Sequence, residues 1–147
     1  MNQNNKFDIK LLKIDDIKFV NAAINNDTAI STLNKEEEIT VDCSMESGVS
    51  ISSNKIRTLF HCNLCVKHNK QITATFTLAY IFSVEKLQEY IDTSNAEVIK
   101  IVNSELMNSL ASITYSTSRG IIYSRTLGTI FNNVILPVTS TNELLKN

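Results

Sequence analysis

Two alternating runs of apolar residues between positions 56 and 82 constrain the fold more than any other feature of the sequence. In each run every second residue is apolar or small, which is the period of a β-strand with one buried face. The two rows are Ile56, Thr58, Phe60, Cys62, Leu64 and Val66, followed by Ile72, Ala74, Phe76, Leu78, Tyr80 and Phe82. The runs are similar in length and are separated by the polar turn HNKQ. The pattern therefore predicts a long antiparallel hairpin.

The first run contains the string HCNLCVKH, from His61 to His68, whose residue types would also suit a zinc site. Residues three apart in a strand point to opposite faces, whereas the ligands of tetrahedral zinc converge from a tight turn. The chain has no second C-x-x-C or H-x-x-H string, and its one other cysteine is Cys43. We therefore favour a strand with a buried Cys62 and predict no metal. A small metalloprotein that uses His61, Cys62, Cys65 or His68 is the alternative.

Two more strands are predicted before the hairpin. Residues 7–14 predict a first strand that continues through IKFV, with every second residue from Phe7 to Leu11 on one face. A polar connection is expected over residues 21–36. Residues 39–46 alternate between apolar and polar types and predict a second, half-buried strand. The serine-rich stretch SGVSISSN after it predicts a turn region.

The apolar period lengthens to three and four residues after position 83, which favours helix. Ser94 followed by Glu97 has the form of a capping box and predicts that a helix begins there. The predicted apolar stripe comprises Val98, Ile101, Val102, Leu106, Leu110, Ile113, Ile121 and Leu127. Gly120 lies inside the stretch and weakens the case for one uninterrupted helix. Gly128 is the predicted C-terminal stop.

The order of these elements, strands first and helices after, predicts an α+β architecture with helices packed on one face of the sheet. At 147 residues the chain is expected to form one domain. An extended segment around Pro137 is predicted to lead into a short terminal helix with Leu144 and Leu145. The expected divisions of this domain are 1–6 disordered, 7–82 mainly strands, 83–128 mainly helical, and 129–147 extended with the short helix.

Composition excludes several functional classes. The 14 basic and 15 acidic residues nearly cancel, so neither nucleic acid nor an anionic membrane is a favoured partner. No apolar run reaches the length of a membrane span, and the polar start MNQNNKFDIK has no signal-peptide h-region. Three cysteines in a leaderless chain indicate reduced thiols, which predicts a cytoplasmic protein.

Catalytic motifs are equally scarce. Neither a phosphate-binding glycine loop nor a G-x-S-x-G elbow occurs, and both histidines fall in one predicted hairpin without a clear carboxylate partner. We therefore predict no enzyme activity and no cofactor. Asp15 and Asp16 lie between strand segments, where they are turn residues or, alternatively, a docking point for a partner.

Three short motifs resemble the SecB family of bacterial export chaperones. The stretch FDIKLLKIDDIKFVN is similar to the family's opening strand, AYIF matches the end of its hairpin, and LGTIFNNVILPVTS resembles its closing segment. The residues that carry the resemblance are Asp16, Ile17, Phe19, Ile81, Phe82, Gly128, Thr129, Pro137 and Val138. The similarity extends over nearly all of the chain, through order and spacing more than through any one string.

The resemblance implies a four-stranded antiparallel sheet with two helices on one face, assembled as a dimer of dimers. It also implies an ATP-independent holdase, which binds unfolded or non-native polypeptides and prevents their aggregation, with protein export as its expected setting. The positions that match the family's apolar client-binding residues are Tyr80, Ile81, Phe82, Phe131, Val134, Leu136 and Val138. For any single one of these residues, a place in the core is an equally good interpretation.

The chain also departs from the family pattern. Family members are strongly acidic, whereas this chain has a net charge of -1. Asp16 matches one acidic position of the surface that docks on the translocase motor SecA, but Thr73 and Thr75 stand where further acidic residues are expected. Docking on a basic partner then loses its main electrostatic contribution. A dedicated chaperone of a toxin–antitoxin system and a non-chaperone interaction module on the same fold are therefore the alternatives.

Overall fold

Four long antiparallel strands form one sheet in the computed structural model, which describes residues 6–25, 38–95, 97–132 and 134–145. The strands are β1 (Leu12–Asn25), β2 (Ile39–Ser50), β3 (Lys55–Val66) and β4 (Asn69–Val84). Their order across the sheet is β1-β4-β3-β2, so β1 and β2 are the edge strands. A minor pair, β5 (Ile91–Asp92) with β6 (Lys100–Ile101), lies between the sheet and the main helix in sequence.

The hairpin predicted from the alternating runs is confirmed. β3 and β4 pair antiparallel from Ile56 opposite Phe82 to Cys65 opposite Thr73. Every residue of the two predicted apolar rows is at most 2% exposed. These rows therefore form the floor of the hydrophobic core, and we refer to the face of the sheet that carries them as the helix side.

Several predicted strand limits were too short. β2 continues through the expected serine-rich turn to Ser50, and the chain reverses over residues 51–54, where Asn54 adopts a left-handed φ of 53°. β1 likewise includes residues 21–25 of the predicted polar connection. The rest of that connection, residues 26–36, lies outside the described residues. Polar side chains in these strands lie at edges and faces that remain wet, so they do not end the strand.

The prediction of a strand from Phe7 was wrong. Residues Ile9–Leu11 form a short 3₁₀ helix, and β1 begins at Leu12. Phe7 is nevertheless buried, because its ring packs edge-on against Tyr90 at 5.2 Å and its N–H donates to the carboxylate of Glu105 at 2.7 Å. Of the predicted disordered start, residues 1–5 lie outside the described residues.

The main helix, α1, spans Ser104–Thr126, so the helix start predicted at Ser94 was also wrong. The side chains of Asp92 and Asn95 accept hydrogen bonds from the backbone N–H groups of Ser94 and Glu97, and such Asx turns hold the chain in a non-helical path. The N-cap is Asn103, whose side chain accepts from the N–H of Leu106.

Helices cover the sheet unevenly. α1 packs on the central strands β3 and β4, and the short helix α2 (Thr141–Leu144) packs on β2 and α1. Leu144, one of the two leucines predicted in the terminal helix, lies in α2 and is buried. The core includes Leu106, Leu110 and Ile122 of α1 above the two buried rows of the hairpin. The edge strand β1 lies beyond the main contacts of both helices.

Glycine placement in and after α1 gives a matched test of this structure. Gly120 is exposed in the helix interior, where an added Cβ would meet nothing within 4 Å, whereas Gly128 has a φ of +76°. Gly120→Ala is expected to raise the free energy of unfolding by about 0.5–1 kcal/mol. Gly128→Ala should lower it, because the left-handed conformation is strained for alanine. Urea denaturation measures both, and stabilisation by both substitutions would contradict the helix end described here.

Candidate functional site

The C-terminal segment, residues 134–145, runs along α1 and is held there by polar contacts. The Arg119 guanidinium donates to the carbonyl of Leu136 at 2.9 Å, and the Tyr115 hydroxyl donates to the carbonyl of Pro137 at 2.7 Å. Nearer the start of α1, the Thr141 hydroxyl donates to the Asn108 side chain at 3.1 Å. The segment is therefore antiparallel to the helix.

Side chains of this segment divide into an anchored set and an exposed set. Leu136 and Leu144 are buried, as is Phe131 just before the segment. Ile135 and Val138 are 65% and 87% exposed, so two branched apolar side chains remain in water on a backbone that the anchors hold in place. Such exposed apolar groups on an ordered segment are available to a partner.

A second apolar surface lies on β1 beside α1. Ile14, Ile17 and Phe19 stand opposite buried residues of β4, so they share the helix side of the sheet, yet each is 38% exposed. We call these three residues the β1 strip. The guanidinium of Arg125 lies 4.6 Å from the centre of the Phe19 ring and covers only that end of it.

Comparison with solved structures identifies the fold that carries these surfaces. The chain is similar to the SecB-like chaperone Rv1957 of Mycobacterium tuberculosis, whose structure is a complex with a ChAD peptide from the Rv1956 HigA1 antitoxin. The two share 18% sequence identity with a TM-score of 0.58, over 89% of this chain and 91% of that chain. The present chain has the SecB-like fold. No family model and no curated protein matches it.

The SecB-like fold confirms the predicted α+β class, with a four-stranded antiparallel sheet and helix packed on one face. It also agrees with the family resemblance noted in the three sequence motifs. At this level of identity the agreement concerns the fold. Within the described residues, no helix combines the length and apolar character that a membrane crossing requires.

The seven predicted client-binding residues lie in three places: the core, the surface of the C-terminal segment, and the opposite face of the sheet. Tyr80, Phe82, Phe131 and Leu136 are at most 1% exposed and belong to the core. Tyr80 lies beneath α1, where its hydroxyl forms a 2.7 Å hydrogen bond with the Ser118 hydroxyl, and burial raises the pKa of Tyr80. Val134 is half-buried and Val138 is the most exposed of the set. Ile81 is half-buried on the opposite face of the sheet, next to Asp16.

Asp15 and Asp16 lie among lysines on that opposite face. The Asp15 carboxylate accepts a hydrogen bond from Ser83 and lies 3.3 Å from the Lys55 ammonium. The Ser83 hydroxyl and Lys55 hold the pKa of Asp15 below its usual value. Asp16 forms a 3.0 Å ion pair with Lys18. Both carboxylates therefore already have local cationic partners, which reduces the negative field available for docking a basic protein.

Both cysteines of the string lie in β3, as the strand interpretation predicted, while its last residues, Lys67 and His68, form the turn before β4. Cys62 is buried on the helix side, while Cys65 is half-buried on the opposite face, where Thr73 stands across from it. His61 contacts the Thr77 hydroxyl at 3.1 Å. In the part of the chain that the structure describes, no three His, Cys, Asp or Glu side chains converge as metal ligands would.

The sequence did not single out Ile135 or the exposed side chains of the β1 strip as available for binding. Val134, Ile135 and Leu136 are all apolar, so the sequence does not alternate here. Nothing in the local sequence therefore indicates that Leu136 is buried while its neighbour Ile135 is exposed. On β1, pairing with β4 is irregular around Asp15 and Val20. A one-residue irregularity moves later side chains to the other face, so alternation alone cannot assign the faces of this strand.

Proposed function

We propose that this chain is an ATP-independent holdase that binds non-native polypeptide along its C-terminal segment. The observation that carries the proposal is the anchored segment itself, which presents Ile135 and Val138 to solvent while α1 holds its backbone. Unfolded chains share exposed apolar side chains, so an ordered apolar surface can bind many of them without reading a sequence. The SecB-like fold supports this function because its solved neighbour is described as a chaperone.

Within this proposal the predicted client-binding residues have four roles. Val138 and Val134, with Ile135, make direct contact with the client. Phe131 and Leu136 keep the segment on α1, while Tyr80 and Phe82 form the floor on which α1 rests. Ile81 lies on the other face beside Asp16 and is proposed to contact a protein docked there.

Adding charge to the exposed apolar side chains tests the holdase function. Ile135→Asp with Val138→Asp should raise the chaperone concentration needed to suppress aggregation of a chemically denatured model protein by about tenfold or more. Burying each aliphatic side chain is worth about 1.5–3 kcal/mol, and 1.4 kcal/mol corresponds to a factor of ten. Light scattering after dilution from denaturant, without nucleotide, measures the effect.

The matched control adds the same two charges to polar positions of the same segment. Ser140→Asp with Asn142→Asp changes two exposed residues and should leave suppression within about twofold of the wild type, since surface substitutions of this kind change stability by about 0.5 kcal/mol or less. If the wild-type protein leaves aggregation unchanged, the holdase proposal fails. Equal loss in both double variants would assign the effect to charge rather than to apolar contact.

A dedicated peptide-binding chaperone is the second candidate, favoured by the antitoxin peptide in the solved neighbour. A dedicated chaperone should bind one peptide tightly and suppress the aggregation of unrelated proteins poorly. Capture of partners from the native cell, followed by titration of peptides from any partner, separates the two. A single folded partner at equal stoichiometry, with no binding of unfolded chains, would instead favour an interaction module. Docking of SecA through Asp15 and Asp16 stays a prediction.

We also propose that two copies associate through the β1 strip. An edge strand offers backbone N–H and C=O groups for pairing, and the strip places apolar side chains directly beside that edge. A surface of this kind can bind its own copy across a two-fold axis, because each residue then meets its counterpart in the partner. A dimer is the simplest closed assembly that would cover Ile14, Ile17 and Phe19. Pairing of such dimers would give the expected tetramer.

A further inference from the structure

Two cysteines that no motif linked in the sequence stand directly opposite each other in the sheet. Cys43 of β2 pairs with Cys62 of β3, in a register without irregularity along the whole of the two strands. Both are free thiols on the helix side, Cys62 fully buried and Cys43 half-buried. Cys65, the other member of the C-x-x-C string, lies on the opposite face of β3.

The hydrogen-bond pattern identifies the type of this cross-strand pair. The N–H of Lys67 donates to the carbonyl of Glu38 at 2.9 Å, and these two residues lie one step beyond the pair of Val66 with Ile39. Bonded and non-bonded pairs alternate along an antiparallel ladder, so Cys43 and Cys62, five steps further on, form a non-hydrogen-bonded pair.

The other side of β3 leads independently to the same assignment. The N–H of Val84 donates to the carbonyl of Asn54, which makes them a hydrogen-bonded pair just beyond the β3–β4 ladder. Counting in steps of two from there, Cys62 exchanges its backbone hydrogen bonds with Phe76 of β4. The N–H and C=O groups of Cys62 therefore point toward β4 and away from β2, as a non-hydrogen-bonded pairing with Cys43 requires.

Non-hydrogen-bonded pairs are the closer kind, with Cα atoms about 4.5 Å apart, which lies at the short end of the range that disulfides span. The two thiols already interact, since the hydrogen bond between them lowers the pKa of Cys43 and raises that of Cys62. Tyr115 lies close to this pair. Burial, together with the charge of a Cys43 thiolate, raises the pKa of Tyr115 to about 12. Cys43 is thus the more acidic and more accessible thiol of the two.

We propose that Cys43 and Cys62 form a reversible modification site, which peroxide closes to a disulfide and a dithiol reopens. The Cys43 thiolate attacks the peroxide, an S–O bond forms, the O–O bond breaks, and hydroxide leaves. Cys62 then gives up its proton and its sulfur attacks the Cys43 sulfur, so that the S–S bond forms, the S–O bond breaks, and the departing hydroxide takes up the proton as water. Both thiols are oxidised and hydrogen peroxide is reduced to water.

The short Cα separation has a consequence for reversibility. A disulfide at the edge of its preferred geometry is strained, and strain makes the bond easier to reduce. The site would therefore stay open in a reducing compartment and close under oxidative conditions. It lies beneath Tyr115, whose hydroxyl also holds the C-terminal segment through Pro137. The site requires no holdase activity, so its test is independent of the proposed function.

Peroxide treatment of the reduced full-length protein, followed by thiol alkylation and mass spectrometry of a non-reducing digest, tests the proposal. A linked Cys43–Cys62 peptide should appear, while Cys65 is alkylated. Dithiothreitol in native buffer should then restore both thiols. Cys65→Ser should retain the linked peptide, whereas Cys43→Ser should lose it. Cys62→Ala, which keeps a small apolar group in the core, should accumulate a sulfenic acid at Cys43 that dimedone traps.

Three outcomes would overturn the proposal. The first is a disulfide formed by the sulfur of Cys65, with Cys62 alkylated in its place. The second is Cys43 oxidised to sulfinic acid while Cys62 remains free for alkylation after unfolding. The third is no dimedone adduct in Cys62→Ala together with no linked peptide in the wild type. Far-ultraviolet circular dichroism of each variant establishes that the sheet is intact before oxidation.

Discussion

Phe131→Ala is expected to lower the free energy of unfolding by about 3–5 kcal/mol, which is a large part of the stability of an ordinary domain. The side chain is fully buried in the core, and its N–H donates to the Thr129 hydroxyl at 3.1 Å, immediately after the end of α1. Alanine would leave a cavity at the point where the chain turns back along the helix. Urea denaturation followed by circular dichroism measures the loss.

Urea denaturation also decides, for a residue matched to the family's client-binding positions, whether it belongs to the core or is free to contact a client. Val138→Ala removes apolar atoms from a side chain that is 87% exposed, so it should change stability by about 0.5 kcal/mol or less. Large loss for Phe131→Ala with little for Val138→Ala separates an anchor from a contact residue. A loss below about 1 kcal/mol for Phe131→Ala would contradict its place in the core.

Stability and client binding should also separate when Phe131→Ala is compared with the charged double variant, Ile135→Asp with Val138→Asp. At a temperature where Phe131→Ala remains folded, its loosened segment would still carry Ile135 and Val138. Its aggregation suppression should therefore fall less than that of the charged double variant. This comparison tests whether the anchors act by holding the segment in place, because loss of a direct contact would affect both variants alike.

The central hairpin could be predicted from the sequence because the alternation is unbroken within each of its strands, over residues 56–66 and 72–82. One buried face and one wet face leave a single register in which every apolar side chain is covered. The helix start could not be predicted as readily. Ser94 and Glu97 fit a capping box, but the side chains of Asp92 and Asn95 bind the same N–H groups in a non-helical turn.

The sequence indicated which segment would carry the candidate site, but it did not indicate which side chains of that segment are exposed. The motif around Pro137 drew attention to the C-terminal segment, yet local sequence cannot tell buried Leu136 from exposed Ile135. That difference depends on Arg119 and Tyr115, which lie more than fifteen residues earlier and fix the backbone through the carbonyls of Leu136 and Pro137. Exposure of the β1 strip depends likewise on where α1 packs.

Placing charge in the β1 strip is expected to dissociate the proposed dimer. Ile17→Asp with Phe19→Asp should raise the dissociation constant at least about a hundredfold, because each buried apolar side chain is worth about 1.5–3 kcal/mol and an interface with two-fold symmetry contains every substitution twice. Sedimentation velocity over a range of concentrations measures the change. Both residues are already partly exposed in the single chain, so the fold should tolerate the substitutions better than a core position would.

The control places the same two charges on the other face of the same strand. Asn21 and Asn25 stand opposite Thr77 and Thr73 of β4, away from the helix side. Asn21→Asp with Asn25→Asp should therefore leave the assembly unchanged if apolar contact on the helix side drives it. A wild-type protein that stays monomeric at high concentration would rule out the dimer. Equal dissociation by both pairs would instead show that pairing along the strand edge, which charge on either face weakens, holds the two copies together.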